Sequence, residues 1–271
     1  MQLVQLQQSL ADFQQRGLGV AALSYDSPAI LAEFSQRKAI QYPLLADPQS
    51  EYLEAIGLRN DEATGIGKGV ALPAILYLDP QGVVQEVFLE ESYRDRPTPA
   101  SVLGSLFPDS LARTTQQSVA GAEVRLAQSD RRVTVGSRFT LTLELEFPPG
   151  LHAYAPGTTE AIPVSLEFAR QPELQVESIE YPPGQPLELF GETVPVYQGK
   201  VRLQAVLKID SAGEWRKTLK EPRPLSIQAQ LRLQTCTDQV CHPPAQVPLE
   251  WTLELVPLDV ERSPDELQHK P

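Results

Sequence analysis

The second half of the chain is patterned in twos. Phe139, Leu141, Leu143, Leu145 and Phe147 alternate with Thr140, Thr142, Glu144 and Glu146. Val201, Leu203, Ala205, Leu207 and Ile209 repeat the pattern, with Val206 interrupting the polar side. Two more runs follow, Ile227, Ala229, Leu231, Leu233 and Val247, Leu249, Trp251, Leu253, Leu255. Successive side chains of a strand leave opposite faces, so each run describes a strand with one buried and one solvated side. Pro- and Gly-rich turns separate the runs and no helical period intervenes. The pattern therefore predicts an all-β, antiparallel sandwich over residues 122–257, followed by a loose charged tail over 258–271.

Residues 1–107 follow another rule. Leu3, Leu6, Leu10 and Phe13 recur at spacings of three, four and three before Gly17, which predicts an amphipathic helix. That helix begins at Met1 without a capping residue or a preceding turn, so a further segment is expected upstream. "VAALSYD" reads as an apolar strand, and "DSPAILAEFSQRK" as a helix capped by Asp26 or Ser27 with Pro28 in its first turn. "YPLLADPQS" leads into "EYLEAIGL", "ALPAILYLDPQGVVQEVFLEE" reads as a hairpin about "DPQG", and "TPASVLGSLF" closes the region as a helix. Alternating helix and strand make this half an α/β layer. The polar residues 108–121 carry no sustained period and are expected to be a linker.

A chain of 271 residues has room for two domains of roughly 100 to 200 residues each. Its formal charge of -12 and pI near 4.8 argue against nucleic acid as a partner, because the 23 Lys and Arg residues form no basic stripe. No apolar run approaches the roughly 18 residues of a membrane span, and no export signal opens the sequence. A soluble chain is expected, with a protein or small-molecule partner.

The two cysteines, Cys236 and Cys241, share one stretch, "QTCTDQVCHPP". As a structural staple the pair closes a short loop, for which chain entropy supplies only about 2 kcal/mol. Zinc requires four ligands, and His242 is the one histidine nearby, with His152 and His269 distant in sequence. Two unrelated thiols or a redox-active pair are the remaining readings. Carrying the inward parity of Ile227 to Leu233 forward places Thr235 inside and Cys236 outside, where a partner reaches it. His242, when protonated, favours a neighbouring thiolate, although it reads equally as a solvated loop residue. Pro243 and Pro244 stiffen the exit. A redox pair of this kind needs no metal or organic cofactor.

Two resemblances bear on these readings. "LVQLQ", "VAALSYDSPAILAEFSQRKAIQYPLLADPQS", "AIGL" and "LPAILYLDPQGVV" resemble the peroxiredoxin (AhpC/TSA, redoxin) branch of the thioredoxin-like fold. That family carries its peroxidatic cysteine in the strand and turn just before the "LVQLQ" helix, whereas residues 1–107 contain no cysteine. The resemblance thus implies a thioredoxin-like domain incomplete at its N-terminus, with no peroxidase activity expected of this polypeptide. A missing central strand implies an exposed edge, an underfilled core and poor stability. Pro73 falls on the fold's cis-proline position, a trans proline at a strand start being the other reading.

Residues 122–256, through "FPPGLHAYAPG", "YPPGQPLELFGETVPVYQGKVRL" and "LQTCTDQVCHPPAQVPLEWTL", resemble the N-terminal periplasmic domain of DsbD, a transmembrane conductor of thiol-disulfide reductant. The resemblance implies an immunoglobulin-like sandwich with Cys236 and Cys241 as its redox pair. It places Glu188, Leu189 and Phe190 in a cap over the disulfide, leucine standing where the family has an aromatic. It places His152 and Tyr154 at a family aromatic pair, with histidine at the first position. It further implies attack by a thiolate, by analogy that of Cys241, on the disulfide of a partner such as a membrane electron conductor or a thioredoxin-like protein. Both resemblances imply the cell envelope. The alternative is a non-enzymatic protein-binding sandwich with a structural disulfide and a vestigial thioredoxin-like domain.

Overall fold

The structure is a computed structural model that describes residues 2–62, 68–90, 92, 94–111, 113–158, 162–189, 191–259, 261 and 264. Contacts divide the chain into two units. One holds Met1–Leu106, Val135–Arg138 and Leu258–Pro271, and the other Phe107–Thr134 and Phe139–Pro257.

The first unit contains α1 (Gln2–Gln8), α2 (Leu10–Gln15), β1 (Ala22–Ser24), α3 (Pro28–Arg37), β2 (Leu44–Ala46), α4 (Glu51–Ala55), β3 (Ala74–Leu78), β4 (Val84–Leu89), β5 (Arg96–Pro97) and α5 (Pro99–Leu106). Leu6, Leu10 and Phe13 are buried as their spacing requires, although the expected single helix is broken at Ser9. Gly17, at φ 73°, ends α2 in a conformation that costs glycine little. Ser27 caps α3 by accepting from the Ile30 amide at 3.4 Å, with Pro28 at its first position. Asp47 caps α4 with both carboxylate oxygens, accepting from the Glu51 and Leu53 amides at 3.0 Å each. The hairpin about Asp79–Gly82 forms as read, its turn held by Asp79 Oδ1 accepting from the Gln81 and Val83 amides. The strands make two separate two-stranded sheets, β1 parallel to β2 and β3 antiparallel to β4.

Pro73 corrects an expectation. No peptide bond among the described residues is cis. The Leu72 amide donates to Leu58 O and Pro73 O accepts from Glu90, which carries an extended, trans segment straight into β3. Trans is also the ground state of an X–Pro bond, by about 0.5–1 kcal/mol.

The second unit contains β6 (Arg113–Val119), β7 (Ala122–Gln128), β8 (Arg132–Thr134), β9 (Ser137–Glu146, whose first two residues fall in the other unit), β10 (His152–Tyr154), β11 (Ser165–Phe168), β12 (Leu174–Glu180), β13 (Gln185–Leu189), β14 (Glu192–Tyr197), β15 (Lys200–Ile209), β16 (Arg223–Leu233), β17 (Thr235–Cys236) and β18 (Ala245–Val256). Three strand orders result: β12-β15-β9-β7-β6, β11-β16-β18-β8 and β13-β14-β10-β17. Every apolar member of the four alternating runs is buried, and Trp251 donates its indole N–H to Ala127 O at 3.1 Å. The pairings β6–β7, β7–β9, β10–β14, β10–β17, β11–β16, β12–β15, β13–β14 and β16–β18 are antiparallel, and β8 runs parallel to β18.

Residues 113–119, expected to be linker, are strand β6. Its partner β7 supplies the apolar side, and Ala120 and Gly121 close the two-residue turn at φ 48° and 82°. Both residues sit in the left-handed region, as the tightest hairpin turns require. A strand paired along one edge needs no apolar period of its own, which is why composition hid it.

Candidate functional site

A long ladder of eleven register pairs sets up the site. β16 and β18 pair without interruption from Arg223↔Leu255 to Leu233↔Ala245, and the intervening segment is "QTCTDQVCHPP". Beyond Leu233 the chain leaves this sheet. Thr235 and Cys236 become β17 and pair instead with β10, as Ala153↔Thr235 and His152↔Cys236. β10 in turn pairs with β14.

A compact turn then reverses the chain. The Thr237 amide donates to Val240 O at 2.8 Å, and Thr237 Oγ1 accepts from the Val240 amide at 3.1 Å and the Gln239 amide at 3.3 Å. This brings Cys241 opposite Cys236 in an isolated antiparallel bridge. The Cα atoms are 4.0 Å apart and the sulfurs are joined at 2.04 Å. Neither sulfur is then a free thiolate for a metal.

The flanks are tied down separately. The His242 amide donates to Thr235 O at 2.8 Å, and Gln234 Nε2 donates to His242 O at 3.0 Å. Thr235 Oγ1 donates to Ala120 O at 2.7 Å, at the β6–β7 turn. His242 Nδ1 lies 2.9 Å from the same hydroxyl. A hydroxyl has one proton, already given to Ala120 O, so His242 Nδ1 is the donor and its proton is placed. Pro243 and Pro244 have no N–H, and the ladder resumes only at Ala245.

The disulfide is asymmetric. Cys236 is 1% exposed, Cys241 is exposed, and its neighbour Val240 is 61% exposed. This reverses the parity expectation, which put Cys236 on the outside. Thr235 and Cys236 are both buried because the strand changes sheets at Gln234 and is covered on both sides. Cys241 is the exposed residue of the pair.

The register brings His152 and Tyr154 to this place. His152 faces Cys236, and its ring meets that of Tyr154 edge-on with centroids 5.9 Å apart. Burial holds the His152 imidazole below its ordinary 6.5, against a smaller upward pull from Asp238. Glu188 and Leu189 lie on β13, at the far side of the same sheet, paired with Thr193 and Glu192. Glu188 is exposed, Leu189 is half-buried, and Phe190 lies outside the described residues. His242 turns its ring toward Thr235. Sequence reasoning missed the part played by Thr235 as the tie between flanks, and by Asp238 as the charge acting on His152. The Thr-x-x-Val turn was readable, whereas the influence of Asp238 needs the β10–β17 pairing to be known.

Comparison with known families finds a match for each of two parts of the chain. Residues 1–87 match the AhpC/TSA family and residues 123–250 match the N-terminal region of the thiol:disulfide interchange protein DsbD. The first region is thioredoxin-like and the second immunoglobulin-like. Among curated proteins, two Mycobacterium tuberculosis sequences named as peroxiredoxins are each 35% identical over 81 residues, which is 30% of this chain and 45% of theirs. The chain thus spans less than half the length of these relatives. Among solved structures, the N-terminal periplasmic domain of ScsB from Proteus mirabilis is 16% identical, with a TM-score of 0.34, over 54% of this chain and 51% of that one. The reduced DsbD N-terminal domain of Neisseria meningitidis is 15% identical, with a TM-score of 0.27, over 42% and 80%. Among the described residues no helix is long and apolar enough to cross a membrane.

Proposed function

We propose that this chain exchanges electrons with a thiol-bearing protein partner through the Cys236–Cys241 disulfide, and that Cys241 is the sulfur the partner meets. The observation that carries the reading is the asymmetry of the bond, with Cys241 exposed and Cys236 1% exposed. An attacking thiolate must approach a disulfide sulfur along the S–S axis, and solvent access selects which sulfur it reaches. The match of residues 123–250 to the DsbD N-terminal region supports the same reading.

Attack at Cys241 releases Cys236 as the leaving thiolate, and the partner's second thiol then resolves the mixed disulfide. Val240 offers an apolar contact beside the attack point. A stable exposed disulfide requires an oxidising compartment, which makes an extracytoplasmic location part of the proposal. A membrane electron conductor or a thioredoxin-like protein is the proposed partner. Residues 1–87 hold no cysteine, so the exchange proposed is that of Cys236 and Cys241.

Trapping tests this directly. With Cys236→Ser, the free Cys241 thiolate should displace thionitrobenzoate from a thioredoxin-like protein that lacks its resolving cysteine and carries its remaining cysteine as the thionitrobenzoate mixed disulfide, leaving a stable protein–protein disulfide seen by mass spectrometry. Cys241→Ser should form little or none. Equal trapping by both variants, or by neither, contradicts the assignment.

A further inference from the structure

His152 is poorly explained by the oxidised state in which it is seen. It is 1% exposed, and neither Nδ1 nor Nε2 has a hydrogen-bond partner among the described residues. Buried polar atoms are nearly always paired, and an orphaned one needs a reason. A phenyl ring in its place would keep the edge-on contact with Tyr154 and bury no polar atom. What His152 does have is a position. As register partners on adjacent strands, it and Cys236 leave the same face of the sheet, with Cβ atoms roughly 4.5–5.5 Å apart.

We infer that His152 is the hydrogen-bond donor to the Cys236 sulfur once the disulfide opens. The inference rests on the exchange reading above. When a thiolate of a partner dithiol attacks Cys241 Sγ, a bond forms between those two sulfurs and the Cys236–Cys241 bond breaks. The electron pair of that bond leaves on Cys236 Sγ. This sulfur is buried, and burial penalises the charge it has just acquired. A neutral imidazole carries one N–H, and turned onto Sγ it forms a charge-assisted hydrogen bond without drawing a proton from solution. The partner's second thiolate then closes the partner's own disulfide and frees Cys241, so that two electrons have passed to the pair.

The neighbouring groups fit this role. Tyr154 fixes one edge of the ring from the same strand. Burial lowers the pKa of His152, and Asp238, in the turn between the cysteines, opposes that with a smaller upward pull. His242 is engaged elsewhere, its Nδ1 bonded to Thr235 Oγ1 at 2.9 Å. Of the two histidines in the site, His152 is therefore the one available to Cys236.

The test uses the full chain with His152→Phe and His152→Gln. Reduction of the disulfide by dithiothreitol should be about tenfold slower in His152→Phe, the loss expected for one hydrogen bond to a charged group. The equilibrium with a glutathione or dithiothreitol couple should shift about tenfold toward the disulfide, equivalent to a potential about 30 mV more negative. The glutamine variant restores an N–H donor and should recover most of both. Oxidised His152→Phe should melt no lower than the parent, which separates the effect from a packing defect. Equal rates and equal potentials in His152→Phe and the parent would overturn the inference while leaving the exchange reading intact, as would a glutamine variant as impaired as the phenylalanine one. A parent disulfide that resists dithiothreitol altogether would remove the exchange reading and this inference together.

Discussion

Thr235 carries one hydroxyl proton and stands between Ala120 O and His242 Nδ1, so a single side chain joins the β6–β7 turn to the segment that follows Cys241. Beside it, His152 makes a pH-dependent contribution whose sign is set by burial. Its folded pKa is depressed below 6.5, so the unfolded chain binds a proton that the folded chain resists. The associated stability is present above pH 6.5 and is lost as pH falls from there toward the folded value. The groups placed around it are Cys236 across the sheet, Tyr154 on its own strand and Asp238 in the turn. We expect urea midpoints of the oxidised protein to fall more steeply between pH 7 and 5 in the parent than in His152→Phe, since the histidine titrates in that range. Parallel profiles would show that His152 is not the titrating group.

At the scale of elements, the sequence was most legible where one rule governs a whole strand. Every apolar residue of the runs through β9, β15, β16 and β18 is buried, and Ser27 with Pro28 starts α3 as read. Legibility ended where a strand passes from one partner to another. Parity carried from Leu233 placed Cys236 outside, but at Gln234 the chain changes sheets and acquires cover on both sides. β6 was hidden for a related reason, since pairing to β7 along one edge leaves no period to detect. Pro73 followed a family expectation that local hydrogen bonds do not support. The cysteine pair itself was legible from its isolation in one loop, while the choice between its two sulfurs was not. Close approach of elements gives a further prediction. A Cβ added at Gly184 would lie 2.7 Å from Ala155 Cβ and 2.8 Å from Pro195 Cβ, where the chain enters β13 against the ends of β10 and β14. Gly184→Ala should destabilise the sandwich by about 1–3 kcal/mol, the usual cost of overpacking, seen as a lower melting temperature. An unchanged melting temperature would mean that this crossing has slack.

Over the whole molecule, the two units differ in how completely they bury their apolar residues. Leu78, Val84, Val87 and Leu89 on the β3–β4 hairpin and Leu45, Tyr52 and Ile56 nearby in sequence are exposed, whereas Val176 and Val240 are the large apolar residues exposed among those described in the sandwich unit. Val240 is the one that flanks the exposed Cys241. The disulfide hangs at the end of an uninterrupted antiparallel ladder, with Cys236 held in the interior and Cys241 an exposed residue. Disulfides that serve only as staples have reduction potentials below about -300 mV, and exchange-active ones lie higher. Equilibrating the full chain against graded glutathione and dithiothreitol couples, and counting free Cys236 and Cys241 by alkylation and mass spectrometry, measures that quantity. The account predicts a potential above about -300 mV, and a value well below it would contradict the account.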